Sequence, residues 1–229
     1  MRVSADARTE TGSSPDAHAD DSGGSAAEPL GRSCMHLCVD MQRMFAEPTD
    51  WQTPWMARVL PQVRRLAEAH PDRTVFTRFI PAARPGEGRG TWATYSKRWS
   101  GMTRAELDPG LIELVPDLAR LVPPAAVIDK SVYSPWLESD LDARLQAQGV
   151  DTLIVTGAET DVCVLAAVLG GVDFGYRIVL ATDGLCSSCD EAHDALMVMY
   201  RMRYGHQVLT LTTDEILERW PSARCTALL

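Results

Sequence analysis

Three reactive side chains stand where short apolar runs give way to turns. "MHLCVD" ends in Asp40, "AAVIDK" ends in Lys130, and "DTLIVTG" is followed shortly by Cys163. A carboxylate, an ammonium and a thiol from distant parts of one chain make a covalent catalyst if folding brings them together. A free thiol, with a pKa near about 8.5, is only a few per cent ionised at neutral pH. Cys163 opens the run "CVLAAVLGG". A helix starting there favours the thiolate, because its first N–H groups and its macrodipole point at the sulfur. Asp40 is expected to take the thiol proton and deliver it to a leaving nitrogen. Lys130 is expected to hold Asp40 ionised and in position. The backbone N–H groups of Glu159 and Cys163 are where an oxyanion would rest, one such donor being worth roughly 3–4 kcal/mol. Singly, each residue has a plain structural reading: a turn aspartate, a solvated lysine, a small buried hydrophobe. Their shared position at strand ends is what favours chemistry.

The elements that must position them follow from periodicity. "MHLCVD", "RTVFTRF", "AAVIDK", "DTLIVTG", "YRIVLATDG" and "HQVLTL" read as six strands. They are continuously apolar rather than alternating. "TPWMARVLPQVRRLAEAH" has helical spacing, with Pro61 expected to distort it. "LESDLDARLQAQG", the run from Cys163, and "DEAHDALMVMYRMRYG" are further helices, and "TDEILERW" is a last turn capped by Thr213 or Asp214. The loop "IPAARPGEGRGTWATYSKRW" closes with a short aromatic helix. Strand and helix alternate, as in a parallel sheet covered on both faces. The fold class is α/β, a three-layer Rossmann-like arrangement around a six-stranded sheet. Ligands in such folds bind beyond the carboxyl ends of the strands.

The chain has 229 residues, 45% of them hydrophobic, enough for one domain with a sizeable core. Residues 1–33 hold almost no large apolar side chains and are expected to be a disordered tail, leaving one domain over 34–229. A net charge of −9 argues against nucleic acid and favours a neutral or cationic small molecule. No apolar run suits a membrane span or a secretory leader, so a cytoplasmic protein is expected. Six cysteines in such a chain do not imply a disulfide framework. Cys186 and Cys189 form a lone CxxC without a second pair to complete a zinc site, and read as two unpaired thiols. No GxGxxG turn, Walker lysine or GxSxG elbow supports a nucleotide-binding or serine-hydrolase reading.

"CVDMQRMF", "VIDKSVYSPW" and "VTGAETDVCV", in that order, resemble the isochorismatase-like cysteine hydrolases, over roughly residues 34 to 212. That family includes nicotinamidases, N-carbamoylsarcosine amidase and ureidoacrylate amidase. The resemblance implies an Asp–Lys–Cys triad at Asp40, Lys130 and Cys163, and a cis peptide at Ala158–Glu159. It implies a homo-oligomer, dimer or tetramer. Metal-dependent members carry an Asp-x-His pair after the second strand, where this chain reads "FTRFIPAARPGEG", with neither residue. No catalytic metal or other cofactor is therefore expected, and His193 is read as structural. Members that hydrolyse a vinyl ether can lack the cysteine, so its presence favours attack on a C–N bond: an amide, lactam, ureido or carbamoyl group. One family member opens the lactam of streptothricin, a cationic substrate that an acidic chain suits. The alternatives are a non-catalytic binding scaffold of the same fold and an isochorismate hydrolase.

Substrate contacts are read from aromatic residues near the predicted crevice. Trp92, Tyr95 and Trp99 share one side of a short helix. Phe45, Tyr133 and Trp136 flank Asp40 and Lys130 in sequence and are expected to complete an aromatic wall. Arg78 could hold a substrate carboxylate, and Glu159 lies beside the nucleophile.

Overall fold

The computed structural model describes residues 29–31 and 33–220. Its strands are β1 (Cys34–Val39), β2 (Thr74–Phe79), β3 (Ala126–Lys130), β4 (Thr152–Ala158), β5 (Arg177–Cys186) and β6 (Val208–Leu211). They form one sheet in the order β3-β2-β1-β4-β5-β6, with every neighbouring pair parallel. The helices are α1 (Arg43–Ala46), α2 (Met56–Ala69), α3 (Thr91–Arg98), α4 (Pro116–Ala119), α5 (Leu141–Ala147), α6 (Cys163–Asp173), α7 (Asp190–Arg203) and α8 (Thr213–Arg219). Among the described residues, no helix is long and apolar enough to cross a membrane.

The central strands are buried on both faces, which is why they read as unbroken apolar runs. In β1, Met35, Leu37 and Val39 face a core completed by α5, α6 and α7. On the opposite face Cys38 and Phe76 pack with α1, α2 and α4, while Cys34 and Ile154 pack with α2 and α8. His36 is the polar exception in β1. Its ring lies between Thr156 Oγ1 at 2.8 Å and Thr74 Oγ1 at 3.3 Å, one on each neighbouring strand. Burial pushes its pKa down to about 3, so the ring is neutral.

Three local expectations bear comparison with the structure, and two of them, the cap of α8 and the end of the tail, are corrected. Pro61, expected to distort its helix, lies inside α2, which is continuous from Met56 to Ala69. The cap of α8 is Thr212, whose side chain accepts from the Glu215 N–H while Glu215 reaches back, a capping box one residue before the expected cap. Most of the expected tail lies outside the described residues, but its end does not behave as one. Leu30 is 4% exposed, its N–H donates to Arg219 O, and it packs with Trp220. The packed body therefore begins before residue 34, held by contacts with the far end of the chain that no local pattern announces.

The chain starts in the middle of the sheet, builds outward through β2 to β3, then returns to the other side of β1 as β4. The turns after β1 and β4 thus diverge from adjacent strands, leaving a crevice at the point where strand order reverses. Close approach of the two strands depends on Gly157, whose φ is +113°. A Cβ there would lie 2.0 Å from Val39 O.

Candidate active site

Asp40 leaves β1 with φ at +49°, a left-handed turn that non-glycine residues seldom adopt. Thr77 of β2 secures it: the Asp40 N–H donates to Thr77 Oγ1 at 3.2 Å, and that hydroxyl donates to Asp40 Oδ1 at 2.6 Å. Lys130 ends β3 and reaches past β2 to donate to the other carboxylate oxygen at 2.6 Å. The same ammonium donates to Val132 O at 3.2 Å and to Cys163 Sγ at 3.4 Å. Cys163 is the first residue of α6, beyond β4. Asp40, Lys130 and Cys163 are 1%, 2% and 7% exposed, so the cluster is almost wholly withdrawn from water.

Burial shapes its charge states. Desolvation opposes the Lys130 ammonium, but the Asp40 carboxylate beside it wins, and the lysine pKa lies above its ordinary value. The Cys163 thiol is pushed well above its usual range, by burial first and by Asp40 second, with Lys130 pulling it back only in part. Both effects oppose the thiolate expected from the helix terminus. A helix end contributes roughly 0.3–1 kcal/mol for an exposed charge, which burial beside a carboxylate outweighs. Asp40 and Cys163 both contact the Lys130 ammonium, which places the carboxylate as the base next to the thiol.

The Ala158–Glu159 peptide bond, just before the thiol-bearing turn, is cis. Thr160, Val162 and Val164 N–H groups all find backbone carbonyls. Among the described residues the Glu159 and Cys163 N–H groups have no hydrogen-bond acceptor. The Asp161 N–H of the same turn likewise has no backbone acceptor.

Cys163 opens on a cavity of about 290 Å³. Of the residues expected there, Phe45, Tyr95, Trp99, Tyr133 and Glu159 line it. Trp92 stands behind this wall, 4.8 Å from the Tyr133 ring, and lines an adjoining cavity of about 630 Å³ that does not reach the sulfur. Two expectations are overturned. Arg78 is bound to Asp129 and Glu113 at the β2–β3 edge and does not line the cavity, so two neighbouring carboxylates already occupy its guanidinium. Trp136 packs beneath α6, with Nε1 donating to Ala167 O at 2.9 Å and its ring stacked on Tyr176. Gly170 admits it, since a Cβ there would lie 2.2 Å from the indole.

The structure adds residues that sequence reasoning missed. Trp51 is the hub of the wall, in ring contact with Phe45, Phe79, Tyr95 and Trp99. Asp50 and Gln52 flank it in the lining. All three sit on an irregular loop between α1 and α2, where periodicity is silent; an aspartate and a tryptophan side by side soon after Asp40 were the only signal. His193 lies outside this cavity, its Nδ1 2.8 Å from Thr160 Oγ1. Cys186 is buried at the end of β5 and Cys189 is exposed, both as free thiols. Among the described residues, no three His, Cys, Asp or Glu side chains gather as a metal-ligand set.

A thiol, a carboxylate and an ammonium thus meet at the switch point of a covered parallel sheet. The chain belongs to the isochorismatase-like family: the isochorismatase domain model matches residues 34–214. Similar proteins include the uncharacterized isochorismatase family protein YwoC of Bacillus subtilis, 29% identical over 113 residues, 47% of this chain and 58% of that protein. Maleamate amidohydrolase of Pseudomonas putida is 27% identical over 82 residues, 36% of this chain and 38% of that protein. The matches therefore span less than two thirds of either relative. A solved cysteine hydrolase from Pseudomonas syringae pv. phaseolicola 1448A shares the fold, with a TM-score of 0.71 at 23% identity, covering 83% of this chain and 94% of that one.

Proposed function

We propose that the protein hydrolyses a C–N bond of a small molecule (an amide, lactam, ureido or carbamoyl group) through a thioester on Cys163. The observation that carries this reading is the contact of Lys130 with both Asp40 and Cys163, at 2.6 and 3.4 Å, beside two N–H groups without acceptors. Asp40 takes the thiol proton as sulfur attacks the carbonyl carbon. The oxyanion accepts from the Glu159 and Cys163 N–H groups. As the C–N bond breaks, Asp40 returns the proton to the departing nitrogen. A water then attacks the thioester while Asp40 takes its proton, and the sulfur leaves and is reprotonated by Asp40. Lys130 holds the Asp40 carboxyl group in position through both halves. The scheme asks for no metal. Maleamate amidohydrolase, by its name, acts on an amide, which supports this bond class.

Within that class the streptothricin lactam is the individual candidate; its opening adds one water to the mass of the antibiotic. The vinyl-ether alternative fits less well, because isochorismate is a dianion and the cavity lining already carries Asp50 and Glu159. The experiment is an amide and lactam screen with intact-mass analysis. Wild-type protein is expected to gain the acyl mass on Cys163 with slow substrates. Cys163→Ala is expected to lose at least about 10³-fold in rate while folding normally. Wild-type turnover by Cys163→Ala would falsify the scheme and leave the scaffold reading.

A further inference from the structure

Every charged side chain lining the cavity at Cys163 is acidic: Asp50 and Glu159. Among the described residues neither carboxylate has a basic partner within ion-pair distance. Glu159 is held in place from its own side, one oxygen accepting from the Ser188 N–H at 2.8 Å. The basic group nearest the sulfur, Lys130, is committed to Asp40. The rest of the wall is aromatic, and its rings meet at mixed angles around Trp51 rather than in one stack: 16° to Phe45, 33° to Tyr95 and 72° to Trp99. Such rings present several faces and edges to one small volume. The negative face of an indole or phenol attracts a cation within about 6 Å of the ring centroid, more strongly when desolvated.

We infer that this cavity selects substrates carrying an ammonium group, which sits among the Trp51, Trp99, Tyr95 and Tyr133 rings with Asp50 as its charge partner, while the scissile carbonyl meets Cys163. The inference rests on the hydrolase reading and assigns a specificity role to Asp50 and Trp51. An anionic substrate meets two uncompensated carboxylates there. A neutral one meets an apolar box and gains burial alone. A cation gains both ring and carboxylate attraction. The acidic surface, with a net charge of −9, acts in the same direction at long range.

The test uses two amides of one shape. 4-(Trimethylammonio)butanamide and 5,5-dimethylhexanamide differ only in a quaternary nitrogen against a quaternary carbon. Titration calorimetry with Cys163→Ala protein isolates binding from turnover. The cation is expected to bind about tenfold more tightly than its carbon isostere. Added Asp50→Asn is expected to reduce that ratio at least about threefold, and high salt to weaken the cation alone. Equal affinities, a preference for the neutral amide, or no binding of the cation up to about 10 mM overturns the inference. The two readings fail separately. Cys163-dependent hydrolysis of neutral amides without a charge preference removes only the cation site. A charge preference in a protein that hydrolyses no amide removes only the hydrolase.

Discussion

Asp40 and Lys130 hold each other in an environment that would reject either alone. Both are almost fully buried, and their 2.6 Å contact offsets a desolvation cost of several kcal/mol per ion. Removing one partner strands the other. Lys130→Met is therefore expected to lower unfolding free energy by about 3–5 kcal/mol, and Asp40→Asn by a similar amount. The double variant is expected to recover most of that loss, since two neutral groups then share the site, yet to remain inactive. Urea denaturation of the four proteins measures the cycle; additive losses would show that the pair is not coupled. The three central residues were legible in sequence because Asp40 and Lys130 end apolar runs and Cys163 opens the helical run that follows another. The thiol's charge state was not, because it depends on burial and on a carboxylate more than a hundred positions away. Trp136 was misassigned for a related reason: proximity to Lys130 in sequence says nothing about which face of the sheet a side chain reaches.

At the level of elements, the site lies where β1 and β4 run side by side and the sheet order reverses. Val39 pairs with Gly157, whose positive φ would aim a Cβ straight into the Val39 backbone. Gly157→Ala combines a disfavoured φ with a Cβ that overlaps Val39 backbone, so neither rotamer change nor a shifted neighbour relieves it. It is expected to destabilise the fold by more than about 3 kcal/mol and to displace Cys163 from Lys130. Glycine at 157 was visible in the "VTGAETDVCV" motif, but its purpose is apparent only with Val39 opposite. As a control, Gly149→Ala has open space around its Cβ position despite a φ of +63°, and only the conformational penalty applies. Thermal unfolding of the two variants separates them: a Tm for Gly157→Ala no lower than for Gly149→Ala would remove the close-approach argument. The strand and helix alternation gave the layers correctly, because six buried strands must read as apolar runs. Loop-borne parts were the illegible ones. Trp51 and Asp50 answer to no period, and Leu30 answers to a helix at the opposite end of the chain.

Across the whole molecule, one buried imidazole couples the sheet to pH. His36 sits in the central strand between Thr74 and Thr156, and Thr74 Oγ1 in turn donates to His70 O, so the ring joins three strands in one network. Its folded pKa is lowered to about 3 by burial, with His70 adding to the effect. In the unfolded chain the same group takes up a proton below about pH 6.5. Between those values the unfolded state binds the extra proton, so stability must fall as pH falls. The contribution is fully present above about pH 6.5 and is lost progressively toward pH 3. At pH 5 it amounts to about 2 kcal/mol, from 1.36 kcal/mol per pH unit. Carboxylates add their own acid dependence, so the informative quantity is the difference in slope between wild type and His36→Gln, which keeps hydrogen-bonding capacity but does not titrate. Urea unfolding from pH 7 to pH 5 is expected to give the wild type the steeper decline by about that amount. Should His36→Gln fail to fold, the imidazole shifts of His36 in the intact protein carry the same information, remaining those of a neutral ring at pH 5. Parallel declines, or a ring that protonates near pH 6, would mean that the central strand tolerates a charge and that burial there is looser than its contacts imply.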